Sequence, residues 1–402
     1  MKCGLLGQKL GHSYSPLIHN LLGLYSYELF EKEPQELEDF LLHGDFDGLN
    51  VTMPYKKAVI PYMNELTPVA KNMGSVNTII RRDGKLIGHN TDYYGFFDVM
   101  DSSGLRPYGK KCLVLGSGGA SNVAVTVLKE FDANVVVISR TGENNYDNLH
   151  LHKDAVVIVN ATPVGMYPDT GVSPIDLDLF PHLEGVVDMI YNPAHTQLLF
   201  EAEKRGLTAV NGLVMLLGQA IGAATFFTGE LIDREVIWDV FSQLQFATEN
   251  IVLIGMPGCG KTTIGKLLAE KYGKPFVDTD EEVEKLTGRT VSDIITQDGE
   301  AAFRELETQV LAEFGKRSGQ VIATGGGCVT QIRNYPLLHQ NGRILYLRRD
   351  PHLLATEGRP LSTDLQQMYT LRDPLYDAFS DYIVDNNGSI DAIMDRIWRF
   401  LR

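Results

Sequence analysis

The chain has 402 residues, 44% hydrophobic and 22% charged, which suits two or three soluble domains of roughly 100–200 residues each. Its net charge of −15 lacks the basic footprint of a nucleic-acid binder, no apolar run reaches the ~18–20 residues of a membrane span, and the start at Met1–Gly11 has no hydrophobic signal region. Cys3, Cys112, Cys259 and Cys328 are scattered, with no C-x-x-C pair or Cys/His cluster, so the composition points to a cytoplasmic enzyme and away from a zinc site or a disulfide scaffold.

The first element is a strand over Lys2–Gly7. It gives way to the polar cluster His12-Ser13-Tyr14-Ser15 and a helix after Pro16. Asn50-Val51-Thr52-Met53-Pro54-Tyr55-Lys56 places a lysine just past a strand that ends at proline. Gly74-Ser75-Val76-Asn77-Thr78 and Gly88-His89-Asn90-Thr91-Asp92 follow. Such a mixture of hydroxyls, amides, Lys and Asp suits a small polyhydroxylated acid, with Ser13 and Ser15 available for its carboxylate. Each cluster alone also reads as turn chemistry.

An apolar strand over Lys111–Gly116 runs into the loop Gly116-Ser117-Gly118-Gly119-Ala120-Ser121 and a helical pattern over Val123–Phe131. Strand, glycine loop and helix in that order form a dinucleotide turn, with Ser121 where the third glycine of G-x-G-x-x-G would stand. The next strand, Ala133–Ser139, ends in Ser139-Arg140-Thr141. A cation flanked by hydroxyls, 21 residues beyond Gly119, suits a ribose 2′-phosphate, so NADP is expected over NAD. Only 13 residues separate Arg140 from the strand Asp154–Asn160. That is too few for the usual crossover helix, strand and connections, so the dinucleotide domain is expected to be trimmed.

Leu213–Phe227 reads as a largely apolar helix that carries the polar Gln219. A helix from Arg234 to about Phe246 then meets a new strand at Asn250 with no Gly/Ser- or Pro-rich linker. That strand leads into Gly255-Met-Pro-Gly258-Cys259-Gly260-Lys261-Thr262-Thr263, the G-x-x-x-x-G-K-[ST] phosphate loop. Backbone amides there would cradle ATP phosphates, Lys261 would meet the β/γ oxygens, and Thr262 would ligate Mg²⁺. Phe276-Val277-Asp278-Thr279-Asp280 ends the next strand with two carboxylates. One could serve Mg²⁺ through water, and the other could accept a hydroxyl proton.

Taken together, residues 1 to about 246 resemble shikimate dehydrogenase. The resemblance rests on Gly11-His-Ser-Tyr-Ser-Pro16, Asn50-Val-Thr52, Pro54-Tyr-Lys56, Gly74-Ser-Val-Asn77-Thr78, Asn90-Thr91-Asp92, the glycine loop, Asn160-Ala-Thr-Pro-Val-Gly-Met166, Asp188-Met-Ile-Tyr-Asn-Pro193 and Asn211-Gly212 through Gln219-Ala220. It implies NADPH-dependent reduction of 3-dehydroshikimate to shikimate, with Lys56 and Asp92 as the catalytic pair. It implies substrate contacts from Ser13, Ser15, Thr52, Asn77, Tyr191 and Gln219. Gly116, Ser117, Gly118, Gly119, Ala120, Ser139, Arg140 and Thr141 would hold the cofactor, with Met189 and Gly212 bordering its nicotinamide. Where the family's adenosine-phosphate loop often has a second Arg, this chain has Gly142-Glu143-Asn144.

Residues 250–402 resemble shikimate kinase, through the phosphate loop, Gly299-Glu300-Ala-Ala-Phe303-Arg304-Glu305-Leu-Glu307, Ala323-Thr-Gly-Gly-Gly327, Gly358-Arg-Pro-Leu361 and Arg372-x-Pro374-x-Tyr376. This resemblance implies shikimate binding by Asp280, Arg304, Gly326, Gly327 and Arg372, with Asp280 activating the 3-hydroxyl and Glu307 orienting Arg304. Arg359 would stabilise phosphoryl charge. Gly258, Cys259, Gly260 and Thr263 would contact the nucleotide.

The expected fold class is α/β. An N-terminal α/β substrate domain (1–102, completed by helices of 213–246) is followed by a trimmed Rossmann-like domain (103–212) and a P-loop kinase domain with a parallel sheet (248–402). The expected partners are the small molecules 3-dehydroshikimate and shikimate, with neither nucleic acid nor membrane, in a monomer or homodimer. Two other readings stay open at this level: an NAD-dependent quinate/shikimate dehydrogenase fused to a small-polyol kinase, or one half degenerate and regulatory.

Overall fold

Short β-branched and aliphatic runs, each closed by glycine, proline or a capped helix start, build three sheets in the computed structural model, which describes every residue except His12, 355–364 and Arg402. The chain divides into two compact units, Met1–Gly165 with Val172–Leu244, and Gln245–Arg402 with Met166–Gly171. Among the described residues no helix is long and apolar enough to cross a membrane.

The first unit holds two sheets. Strands β1 (Lys2–Gly7), β2 (Ser26–Glu31), β3 (Gly48–Val51), β4 (Glu65–Leu66), β5 (Thr78–Arg82) and β6 (Lys85–His89) lie in the order β2-β1-β3-β5-β6-β4. β1 runs parallel to β2 and β3, whereas β5 is antiparallel to both β3 and β6. β1 and β3 are buried along nearly their whole length. Their carboxyl ends therefore deliver polar loops to one edge, and these loops carry Ser13, Ser15, Thr52 and Lys56.

The second sheet is wholly parallel: β7 (Lys111–Leu115), β8 (Asn134–Ile138), β9 (Val157–Asn160), β10 (Gly185–Asp188) and β11 (Thr208–Val210), ordered β11-β10-β9-β7-β8. The chain leaves β8 at one edge and crosses to β9 on the far side of β7. This return contains only a 3₁₀ segment, Tyr146–His152, in place of a full crossover helix and a further strand. The domain is trimmed, as the short spacing predicts.

Helix boundaries extend beyond the apolar periodicity. The helix after the first glycine loop runs Gly119–Glu130, not Val123–Phe131, and the later helix ends at Thr248, not Phe246. Glycine and polar residues contribute no apolar signal, yet they occupy the first and last turns.

Two helices of this unit approach unusually closely. A Cβ added to Gly95, in the helix Asp92–Ser102, would stand 2.3 Å from the carbonyl oxygen of Met215, in the helix Leu213–Thr228. One added to Gly218 would stand 2.9 Å from the Gly95 Cα. The second helix also shares a core of Ile18, Leu22, Leu217, Ala220, Ala224, Val240 and Leu244 with its neighbours.

The second unit has one parallel sheet, β12 (Asn250–Ile254), β13 (Phe276–Asp278), β14 (Val321–Ala323), β15 (Gly342–Arg348) and β16 (Tyr382–Asp385), in the order β13-β14-β12-β15-β16. β12 is central and buried at every residue, and the phosphate loop leaves its carboxyl end. Lys274 fastens the entry to this sheet: its Nζ donates to the carbonyls of Phe246 at 2.6 Å, Ala247 at 3.3 Å and Glu249 at 2.9 Å.

Gly95→Ala drives a methyl group into a backbone carbonyl that has no rotamer by which to retreat. We expect a loss of about 1–3 kcal/mol, read as a lower urea midpoint with unchanged slope. A midpoint equal to that of the parent would show that the helices relax apart freely.

Candidate functional sites

In the first unit the edge loops enclose a cleft of about 480 Å³. Lys56 Nζ donates to Asp92 Oδ2 at 2.6 Å inside it. Lys56 lies on the short helix Tyr55–Ala58, and Asp92 begins the helix Asp92–Ser102. Buried side chains fix the aspartate's position. Its backbone N–H donates to Asn90 Oδ1 at 3.1 Å, and Asn90 is tied in turn to the carbonyl and hydroxyl of Ser75. Asn77 accepts from the Thr91 amide at 2.7 Å and donates to Thr91 Oγ1 at 3.1 Å, with Thr78 alongside.

Ser13, Ser15, Thr52, Asn77, Tyr191 and Gln219 all line this cleft with the Lys–Asp pair, as do Ala120, Met189 and Gly212. Gly212 must be glycine, because a Cβ there would stand 2.1 Å from the Met189 carbonyl oxygen. The cleft therefore joins a polar basin to the start of the dinucleotide helix. Sequence reasoning missed Lys9, Asn50, Met215 and Leu216, which also line it. Asn50 lay inside a quoted motif. Met215 and Leu216 belong to a helix apolar on most faces, so no polar signal marks them.

The cofactor residues gather where β7 and β8 end side by side. The Gly116 amide donates to the Ile138 carbonyl at 2.8 Å, which sets the glycine turn next to Ser139-Arg140-Thr141. A Cβ on Gly118 or Gly119 would meet open space, and Gly118 caps the helix with no side-chain hydrogen bond. The first helical amides thus have no side-chain competitor, as a bound pyrophosphate requires. Ser121 is buried at the third-glycine position, where a small side chain lets the helix pack on the sheet. Arg140 is exposed, and the loop beyond it closes through the Ser139 amide on the Asn144 carbonyl at 3.1 Å. Asp188, from another quoted motif, is fully buried. It accepts from Asn160 Nδ2 at 3.0 Å and Thr196 Oγ1 at 2.7 Å, and burial pushes its carboxyl up to about 6. It ties together the loops that follow β9 and β10.

The second unit has its own cleft, of about 670 Å³, at the carboxyl ends of β12, β13 and β14. Gly258, Gly260, Lys261, Thr262 and Thr263 line it. Between them the Cys259 side chain packs in the apolar core, and its amide donates to the Met256 carbonyl at 3.2 Å. Lys261 Nζ donates to the carbonyls of Gly255 at 2.8 Å and Met256 at 3.1 Å, and Thr262 Oγ1 donates to Asp278 Oδ2 at 2.8 Å.

Opposite the loop stands a charged cluster. Arg304 donates to Glu307 Oε2 and to Glu300 Oε1, both at 2.8 Å. Burial pushes the Glu307 carboxyl up to about 7 against the pull of Arg304. Burial, and then the charge of Asp278, raise Asp280 as well, and its Oδ1 has no hydrogen-bond partner. The glycines after β14 make room for these groups. A Cβ on Gly325 would stand 2.2 Å from Glu307 Oε1, and one on Gly327 would stand 2.0 Å from Arg304 Nη2. The Gly326 carbonyl accepts from Arg372 Nη1 at 3.2 Å and from the Tyr376 hydroxyl.

Asp280, Arg304, Gly326, Gly327 and Arg372 therefore face one cavity with the phosphate loop, whereas Arg359 lies outside the described residues. Glu284, Ser292, Arg349 and Met368 also line the cavity. They carry no motif, and only the folded chain identifies them.

Comparison with known proteins agrees with this geometry. Residues 5–79 match the family model "Shikimate dehydrogenase substrate binding domain", and residues 257–402 match "Shikimate kinase". A shikimate dehydrogenase (NADP(+)) of Clostridium perfringens is 33% identical over 264 residues, covering 60% of this chain and 97% of that protein. A crystallised chorismate mutase/shikimate 5-dehydrogenase fusion protein from Clostridium acetobutylicum is 37% identical, with a TM-score of 0.57 over 60% of this chain and 96% of that one. The shikimate 5-dehydrogenase of Thermus thermophilus, solved with NADP(H) and shikimate, is 32% identical with a TM-score of 0.56, covering 61% of this chain and 99% of that one.

Proposed function

The chain belongs to the shikimate dehydrogenase family, with a shikimate kinase domain joined after it, and from that premise we propose that it performs two consecutive reactions. The first unit reduces 3-dehydroshikimate to shikimate with NADPH. The second phosphorylates the 3-hydroxyl of shikimate with MgATP. The observation that carries this reading is the Lys56–Asp92 pair at 2.6 Å, set in a polar cleft whose far lip is the dinucleotide turn.

NADPH, when bound, supplies the hydride. As the keto carbon is reduced its oxygen becomes an alkoxide, which needs a proton and a nearby positive charge. The Lys56 ammonium supplies both, and Asp92 holds it in place. Ser13 and Ser15 meet the substrate carboxylate, while Thr52, Asn77, Tyr191 and Gln219 bind around the ring. Arg140, with the hydroxyls of Ser139 and Thr141, suits the 2′-phosphate.

In the second unit Arg304 and Arg372 bind the shikimate carboxylate, and Asp280 takes the proton of the attacking hydroxyl. Its raised affinity for a proton makes it a stronger base than an ordinary aspartate. No group of three or more His, Cys, Asp or Glu side chains among the described residues forms a metal cage. Thr262 and Asp278 nevertheless fit Mg²⁺, which takes one or two protein oxygens and completes its shell with phosphate and water.

Incubating the purified chain with 3-dehydroshikimate, NADPH and MgATP is expected to yield shikimate 3-phosphate by mass spectrometry. Lys56→Met is expected to stop the sequence before shikimate, with kcat for reduction lowered ~10²–10⁴-fold. Asp280→Asn is expected to let shikimate accumulate. Untouched 3-dehydroshikimate with the parent chain would refute the first assignment, and unphosphorylated shikimate the second.

The kinase step also has a signed pH dependence. Asp280 acts as its anion, and its folded pKa lies above the ordinary 3.8. Activity therefore falls as pH drops through that raised value. The kcat/KM for shikimate should lose about tenfold per pH unit below an inflection above the usual aspartate range, an inflection shared with coupled Glu307. A flat profile down to pH 4 would contradict the assignment.

A further inference from the structure

The charged side chains among the described residues that line the first cleft are Lys9, Lys56 and Asp92. Lys56 and Asp92 neutralise each other at 2.6 Å, so Lys9 alone gives the cleft a net positive charge. It stands on the loop between β1 and the helix Ser15–Leu22, exposed, in the stretch that also carries Ser13 and Ser15. No carboxylate among the described residues pairs with it, although its sequence neighbours are held by acidic groups. The Gln8 amide donates to Glu33 Oε2 at 2.9 Å, and the Leu10 backbone N–H donates to Glu31 Oε1 at 2.8 Å. Residues 1–247 as a whole carry 29 acidic against 18 basic residues, so long-range repulsion opposes any acid entering here.

We infer that Lys9 is a substrate-capture residue of the dehydrogenase cleft. Its ammonium draws the carboxylate of the substrate toward the Ser13 and Ser15 hydroxyls. Those hydroxyls offer hydrogen bonds but no charge, and Lys9 supplies the charge. It touches neither the hydride path nor the reacting oxygen, so it acts on capture and not on turnover. The inference rests on the reading of this cleft as one that takes a carboxylate substrate.

The test uses the full chain with Lys9→Gln and Lys9→Arg. At low ionic strength, Lys9→Gln should lower kcat/KM for 3-dehydroshikimate about three- to tenfold with kcat unchanged. Raising the salt from about 20 to 200 mM should erase most of the difference from the parent, and Lys9→Arg should restore the parent value. The KM for shikimate in the reverse, NADP⁺-dependent oxidation, which the second cleft does not enter, should rise by the same factor, whereas the KM for the methyl ester of shikimate should be alike in parent and variant. Equal kcat/KM in parent and Lys9→Gln at low salt, or an equal loss on the ester, would overturn the inference. A parent chain that oxidises neither shikimate nor its ester with NADP⁺ would instead overturn the reading of the cleft.

Discussion

The close approach of the helices Asp92–Ser102 and Leu213–Thr228 is the constraint on which the first cleft depends. One helix begins with Asp92 and the other presents Gln219, so their separation sets the width of the basin between the Lys56–Asp92 pair and Gln219. Backbone meets backbone at Gly95 and Gly218, and interiors packed this tightly yield little to displacement. The buried amide network of Asn90, Asn77 and Thr91 then holds the start of the first helix against the sheet. Catalytic geometry here derives from helix packing more than from the loops that line the cleft.

The second cleft rests on electrostatics. Arg304 and Glu307 are buried and Asp280 is half-buried, and desolvation drives both carboxyls toward their neutral forms. Replacing such a group with a well-packed apolar one is often neutral or stabilising. Its retention beside a phosphate loop therefore points to chemistry as the reason for it. The glycines after β14 belong to the same arrangement, since they clear the space into which the charges point.

Much of this was legible in the sequence. Two strand–glycine–helix passages located both nucleotide turns, and counting the residues after Arg140 was enough to foresee the shortened crossover. The polar motifs also converged on the clefts they suggested. What stayed hidden depends on contacts between distant segments. Gly95 and Gly218 look like ordinary breaks in helical patterns until their helices face each other. Arg349 and Met368 reach the second cleft from strands and helices that follow it by about a hundred residues, and no local pattern marks them.

The Lys274 ammonium draws the end of one helix into the architecture that follows it. Its acceptors are the carbonyls of Phe246, Ala247 and Glu249, and burial holds its pKa down to about 8. A gene fragment opened at 248 would encode every strand of the last sheet and every residue of its cleft, yet would retain only one of those three acceptors. The cation would then be buried with most of its solvation unreplaced. The shortest autonomous piece of this portion is therefore defined by a lysine far inside it, and it begins upstream of its first strand, within the preceding helix.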